Sequence, residues 1–243
     1  MIRLIVNGAG GKMGTRVLAL AEQSESFRTV GATDAFAQGF VHSLCEVKEG
    51  ADGIIDFSSH LATGELLDYA RKTKTPLVIA TTGHTEDELR AIKEAAAEIP
   101  IFMSANMSVG VAVIVNLAKQ IASVFPEADI EIVEKHHNQK MDAPSGTALM
   151  IANAIKEVRT DARFVCGRSG MVGKREASEI GIHALRMGGV IGEHEVFVVT
   201  PSQTISVKHE AHTRDLFAEG ALAALSFIVD KAPGLYNMYD LLA

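Results

Sequence analysis

Ile2 to Asn7 is a short apolar run that breaks at once into Gly8-Ala9-Gly10-Gly11-Lys12-Met13-Gly14. A parallel strand buried on both faces reads as such a continuous run. Glycines just after it let the backbone turn tightly and come close to a pyrophosphate, whose charge then meets free N–H groups at a helix start. The strict G-x-G-x-x-G spacing fails at Met13, but Gly8, Gly11 and Gly14 satisfy G-x-x-G-x-x-G. Lys12 to Gln23 carries Met13, Val17, Leu18 and Ala21 at helical spacing, and Arg28 to Asp34 reads as a second strand ending in an acid. An acid about 20 residues beyond the turn is where a dinucleotide ribose would be held. Two plainer readings stay open: a purely structural turn, and an Asp34 that only caps its own loop. Ala35-Phe36-Ala37-Gln38 offers no cation for a 2′-phosphate, so Lys12 and Arg16 are the nearby cations.

The same alternation continues. Strands are expected at Gly53–Phe57, Leu77–Ala80 and Ile101–Met103. One helix between them has Leu61, Leu66, Leu67 and Ala70 on a face, and a charged amphipathic helix runs from Glu86 to Glu98. Strands alternating with helices imply βαβ units and a parallel sheet. After about Asn106 the pattern changes. A long apolar helix (Ser108–Phe125) leads to a strand (Ile130–Val133), a polar loop (Lys135–Ser145) and a helix from Thr147 to about Val158. Three strand-like stretches then follow without helices, Ile180–Ile182, Glu195–Thr200 and Thr204–His209, suggesting an antiparallel sheet with helices on one face. The fold expected is α/β: a Rossmann-like domain formed by 1–107 and 215–243, and an α+β domain with a mixed or antiparallel sheet at 108–214.

Composition narrows the functions. The 243 residues carry a net charge of −7 and show no Lys/Arg run, which argues against nucleic acid. No apolar stretch is long enough to span a bilayer, and the N-terminal run is too short for a signal segment. The two cysteines, Cys45 and Cys166, lie far apart and fit a reducing compartment, hence a cytoplasmic protein.

The stretch from Glu134 to Thr147 concentrates chemistry: Glu134-Lys135-His136-His137-Asn138-Gln139-Lys140-Met141-Asp142-Ala143-Pro144-Ser145-Gly146-Thr147. His and Lys supply protonatable groups and positive charge, and Ser-Gly-Thr at a helix start presents N–H groups that can hold a carboxylate. A solvated loop followed by an N-cap would explain each feature singly, though not their concentration. Six histidines (His136, His137, His183, His194, His209 and His212) lie in this half, but adjacent histidines usually point apart and no H-E-x-x-H occurs. No metal is expected.

This stretch resembles the E-x-H-H-x-x-K-x-D-A-P-S-G-T-A signature of the dihydrodipicolinate reductase family. The similarity extends to the glycine turn, Asp56-Phe57-Ser58, Ala80-Thr81-Thr82-Gly83, Asn106 to Gly110, Gly192-Glu193-His194 and Pro233 to Tyr236. The resemblance implies reduction of 4-hydroxy-tetrahydrodipicolinate by NADH and/or NADPH in lysine (diaminopimelate) biosynthesis. It implies His136 as the acid/base histidine and Lys140 as the proton donor, with His137, Lys140, Gly146 and Thr147 holding the carboxylates of a small cyclic dicarboxylate. The cofactor would meet Gly8, Gly11, Lys12, Met13, Gly14, Asp34, Phe57, Thr82, Gly83, Ala105, Asn106, Met107 and Arg214. Family members are typically homotetramers, with the second-domain sheets packing together. The basic residue often found after the ribose acid is missing here, and Gln139 replaces a basic residue of some members. Rivals are another amino-acid-pathway dehydrogenase, acting on aspartate or homoserine, and a non-catalytic dinucleotide sensor.

Overall fold

A computed structural model describes residues 1–243. The chain divides into two compact units, Met1–Val109 with Arg214–Ala243, and Gly110–Thr213. Elements are numbered in chain order.

The first unit holds a six-stranded parallel sheet. It comprises β1 (Ile2–Asn7), β2 (Phe27–Thr33), β3 (Gly53–Asp56), β4 (Leu77–Ile79), β5 (Pro100–Met103) and, near the C-terminus, β11 (Gly234–Tyr236), in the order β11-β5-β4-β3-β1-β2. Successive strand residues face opposite sides, and both sides are covered. On one, Ile5, Ile54, Leu77, Ile79 and Ile101 pack with Leu66, Leu67 and Ala70 of α2 (Thr63–Thr73) and with Ile92 and Ala95 of α3 (Glu86–Ala95). The other side meets α6 (Asp215–Ile228): the Phe102 and Phe227 rings lie edge to face at 6.3 Å, and Leu225 occupies the space a side chain on Gly53 would need. A short α7 (Met238–Leu242) ends the chain. Strand order reverses between β1 and β3. Open α/β sheets bind ligands outside the strand ends at such a switch point.

Two local expectations need correction here. Helix α1 (Gly14–Glu22) starts at Gly14, not Lys12. A Cβ at Gly14 would lie 2.1 Å from the Gly8 carbonyl oxygen, so the helix begins where the chain folds back on its own turn, leaving Lys12 and Met13 in that turn. Leu61 does not share the buried face of α2. It sits in a separate 3-10 turn capped by Ser59 and is 81% exposed.

The second unit holds α4 (Val109–Val124, of which Val109 belongs to the first unit), β6 (Asp129–His136), α5 (Gly146–Lys156), β7 (Arg163–Cys166), β8 (Glu179–Arg186), β9 (Gly192–Thr200) and β10 (Gln203–Ala211). Its sheet runs β10-β9-β6-β8-β7. The sheet is mixed: β9 is antiparallel to β10 and β6, whereas β8 is parallel to β6 and β7. The expected mixed or antiparallel sheet is thus present and the last three strands alternate in direction, but β8 and β9 are not neighbours, because β6 lies between them. Apolar residues of β6, β8 and β9 face α4 and α5: Ile130, Ile132, Ile180, Ile182, Val196 and Val198 meet Val111, Ile114, Val115, Ile151 and Ile155. Strand β6 also outruns its expected end at Val133. Lys135 and His136 look like loop residues, but they stay in the ladder opposite Leu185 and Arg186.

Candidate active site

Alternation along β6 decides where the polar chemistry lies. Ile130, Ile132, Glu134 and His136 are all buried on one face, so the first two continue the core and the last two carry charge and imidazole into its end. Strand β9 repeats the pattern in reverse direction, with His194, Val196 and Val198 buried. Register sets Glu134 opposite His194 and His136 opposite Arg186. Ser145, which caps α5 by accepting the Ala148 N–H, reaches the same place. Three strand ends and one helix start thus form a polar cluster at the margin of an apolar core.

Glu134 has no solvent exposure, and every lone pair is used. Its Oε1 accepts the Ser145 N–H (3.0 Å) and an Arg186 Nη2–H (2.8 Å); Oε2 accepts an Arg186 Nη1–H (2.8 Å) and lies 2.6 Å from His136 Nδ1. Burial alone would raise its pKa, but these four contacts hold the carboxyl at about 2. Arg186 also donates to the Asp142 carbonyl (2.7 Å), tying the loop to β8.

His194 is 3% exposed, and its ring meets that of His136 edge to face with centroids 5.2 Å apart. Its Nε2 pairs with Ser145 Oγ at 3.0 Å, while Nδ1 is buried without a hydrogen-bond partner. Burial, reinforced by the neighbouring His136, pushes His194 down to about 3. It is a neutral imidazole at ordinary pH.

Lys140 lies on the loop after β6, its Nζ 2.8 Å from Asp142 Oδ1. His137 is half-buried and its carbonyl accepts the Lys140 N–H, while the Asn138 N–H donates to Gly188 and so pins the loop to the β8–β9 turn. Gly146 opens α5, exposed, with nothing where a Cβ would stand; Thr147 follows it. The structure thus gathers His136, Lys140, Gly146 and Thr147 on β6, its loop and the start of α5. No group of three or more His, Cys, Asp or Glu side chains is placed to hold a metal ion.

In the first unit, the glycine turn sits at the carboxyl end of β1. A Cβ at Gly8, whose φ is +78°, would lie 2.4 Å from the Phe57 carbonyl oxygen, so only glycine fits between the ends of β1 and β3. Asp34 accepts the Gly10 N–H (3.0 Å) and the N–H groups of Phe36 (3.0 Å) and Ala37 (2.9 Å). Hydrogen bonds from Ala37 and Phe36 lower its pKa, with a smaller contribution from Gly10. Arg16 is engaged by Asp215 on α6, leaving Lys12 as the cation of the turn. A cavity of about 410 Å³ is lined by Lys12, Met13, Phe57, Ala105, Asn106, Met107 and Arg214, joined by Ala80 and Phe217. Thr82 and Gly83 follow β4 nearby in sequence, but they do not line this cavity. Its floor is polar. Buried Asp56 accepts from Asn7 (2.8 Å), Ser58 (2.6 Å) and Thr81 (2.6 Å), and burial raises its pKa against these bonds.

The family model described as Dihydrodipicolinate reductase, N-terminus, matches residues 2–107, and that described as its C-terminus matches residues 110–242. The chain belongs to the dihydrodipicolinate reductase family. Within that family it is 51% identical to a 4-hydroxy-tetrahydrodipicolinate reductase of Caldanaerobacter subterraneus subsp. tengcongensis, over 99% of this chain and 98% of the relative. It is 41% identical to the Clostridium novyi protein of the same name, over 100% and 98%. The fold matches the dipicolinate-bound dihydrodipicolinate reductase from Paenisporosarcina sp. TG-14 with a TM-score of 0.84 at 24% identity, covering 100% of both chains. The C-terminal model of the reductase family includes α6 and β11, which in space belong to the first unit.

Four residues of the polar cluster escaped assignment from sequence. Glu134 opens the reductase signature and Ser145 stands inside it, but the resemblance implies no catalytic or binding role for either. Arg186 carried no signal at all. His194 is one of six histidines in its half, and only its alternation with Val196 and Val198 places it on the core face.

Proposed function

We propose that this chain reduces 4-hydroxy-tetrahydrodipicolinate to tetrahydrodipicolinate with NADH or NADPH, in the diaminopimelate route to lysine. The observation that carries the reading is the joining of buried Glu134 and His136, with Arg186, to Lys140 and the α5 start, in a chain of the reductase family. The Caldanaerobacter relative bears the name of this activity at 51% identity.

The first unit fits the cofactor. The Gly8 and Gly14 backbones leave no room for side chains, the helix start can meet a pyrophosphate, and Asp34 stands at the end of β2 for a ribose. Gly8, Gly11, Lys12, Met13 and Gly14 would cradle the phosphates. Phe57, Thr82, Gly83, Ala105 to Met107 and Arg214 would flank the nicotinamide end. When bound, the cofactor supplies the hydride.

The second unit supplies binding charge and a proton. Lys140, His137 and the N–H groups at Gly146 and Thr147 would hold the two carboxylates, as a dicarboxylate requires two anchors. Lys140 would donate the proton and His136 would serve as acid/base group. Dipicolinate, bound in the Paenisporosarcina structure, is a planar dicarboxylate of the kind such anchors suit.

We also read the protein as a cytoplasmic homotetramer. No helix is long and apolar enough to cross a membrane. The sheet face away from α4 and α5 carries half-buried Val133, Leu185, Phe197 and Val199, apolar surface of the kind subunits cover.

The decisive test is a coupled assay with freshly generated substrate and each cofactor. Oxidation of NADH or NADPH should depend on that substrate, and pyridine-2,6-dicarboxylate should compete far better than a monocarboxylate analogue. Turnover of aspartate or homoserine instead, or cofactor binding without turnover, would replace this reading.

A further inference from the structure

We infer that Glu134 and Arg186 form a positioning pair that commits His136 to the tautomer bearing hydrogen on Nδ1 and directs its Nε2 toward the bare backbone of Gly192. The inference rests on the reading of His136 as an acid/base group and names what orients it.

Hydrogen-bond accounting leads there. Glu134 accepts three hydrogen bonds from donors that cannot accept, the Ser145 N–H and one Arg186 N–H on each oxygen, and its fourth contact is His136 Nδ1. A carboxylate so saturated is ionised, so the hydrogen in the 2.6 Å contact with His136 must sit on Nδ1. The hydrogen bond made by one ring nitrogen fixes the state of the other. Arg186 matters because an unpaired carboxylate with no solvent exposure would be costly; the bidentate fork keeps the charge in place and its plane fixed. The Ser145 N–H adds a constraint from α5, so β6, β8 and the helix start all bear on one carboxylate.

The far side of the ring is equally constrained. A Cβ at residue 192 would stand 3.1 Å from His136 Nε2 and 3.5 Å from Cδ2. The φ of Gly192 is not positive, so its backbone does not demand glycine. What demands it is the ring. A side chain there would press on the one nitrogen free to exchange a proton.

Histidine-selective ¹⁵N labelling of the whole chain tests this through two-bond ¹⁵N–¹H correlation spectra, with the His136 signals assigned by their loss in His136→Gln. Wild type should show one neutral tautomer, Nδ1–H. In Glu134→Gln/Arg186→Met, which removes the buried carboxylate and its guanidinium partner together, one amide oxygen cannot serve both the Ser145 N–H and the His136 Nδ1–H. The spectrum should shift to the Nε2–H form or a mixture, and kcat should fall about tenfold or more with the KM for NADH unchanged. Gly192→Ala covers the case in which the double variant fails to fold. It should keep the Nδ1–H tautomer yet lower kcat severalfold. An unaltered tautomer in the double variant, or an unaltered kcat in Gly192→Ala, overturns the inference. If His136→Gln keeps normal kcat, the acid/base reading fails instead, while the spectra still report whether Glu134 sets the tautomer.

Discussion

Lys140 and Asp142 are joined by a 2.8 Å ion pair inside the loop that leaves β6, with the Asp142 side chain 60% exposed and that of Lys140 only 21%. The lysine expected to meet a substrate carboxylate is thus already paired with a protein carboxylate. In the proposed role, an incoming dicarboxylate would compete with Asp142 for it. Exposed pairs of this kind contribute about 0–1 kcal/mol, so Asp142→Asn should tighten pyridine-2,6-dicarboxylate binding by up to about fivefold. Isothermal titration of wild type and variant checks this. Weaker binding in the variant would mean that Asp142 positions Lys140 rather than competing for it.

His136 and Lys140 should separate under kinetics. His136→Gln keeps a hydrogen-bonding side chain but removes an imidazole able to take and give a proton, so kcat should drop about 100-fold or more with little change in KM. Lys140→Ala loses charge and proton together and should damage both parameters. Both residues lie in the second unit and the glycine turn lies in the first. NADH affinity, read by fluorescence titration, should therefore stay near wild type in each. A normal kcat in His136→Gln would leave Lys140 as the sole acid.

The cofactor preference follows from Asp34. Its carboxylate is held ionised by three backbone N–H groups, and in the proposed role beside the ribose it would repel a 2′-phosphate. Arg16 offers little to offset this, being paired with Asp215. NADH should thus serve at least as well as NADPH, and Asp34→Asn should raise the NADPH/NADH ratio of kcat/KM. An NADPH efficiency more than about tenfold above NADH in wild type, roughly 1.4 kcal/mol, would refute this account of the β2 end.

These sites differ in how far sequence exposes them. The parallel sheet is legible because strands buried on both faces are written as apolar runs, and Ile2–Asn7 followed by glycines has few other solutions. The loop from His137 to Thr147 is legible through its density of polar groups. The buried cluster is not, because its members arrive from strands far apart in sequence. Nothing local marks Arg186, whose partner Glu134 lies 52 residues away. The β6–β8 register that unites them depends on a parallel pairing across α5 and β7, which period-2 alternation cannot specify. Lys135 and His136 are obscure for a related reason: polarity suggests a loop, but a partner strand keeps polar residues in a ladder when their side chains find partners. Strands β7 and β11, at sheet edges and only 4 and 3 residues long, carry too little periodicity to register.

His194 should make the protein acid-sensitive well before its carboxylates titrate. Its folded pKa, about 3, lies far below the ordinary 6.5, chiefly because burial excludes the charged ring. As pH falls below 6.5 the unfolded chain takes up a proton that the folded chain refuses, so the unfolded state binds more protons and stability declines. The decline runs from 6.5 down to about 3. Glu134 acts in a lower window: its folded pKa is depressed from 4.5 to about 2, so its contribution is complete above 4.5 and fades only as pH falls beneath that value. Between about pH 6.5 and 5 the His194 contribution can therefore be isolated, and at one pKa unit per 1.36 kcal/mol it should reach about 2 kcal/mol. His194→Gln removes the titrating group while keeping a polar partner for Ser145. Its stability at pH 7 should be lower than wild type, because a fitted buried side chain is replaced. Its decline from about pH 6.5 to 5, followed by urea denaturation at each pH, should be shallower by about that 2 kcal/mol. Parallel pH profiles for wild type and His194→Gln over this range would show that His194 is protonated in the folded protein, contrary to its burial beside His136.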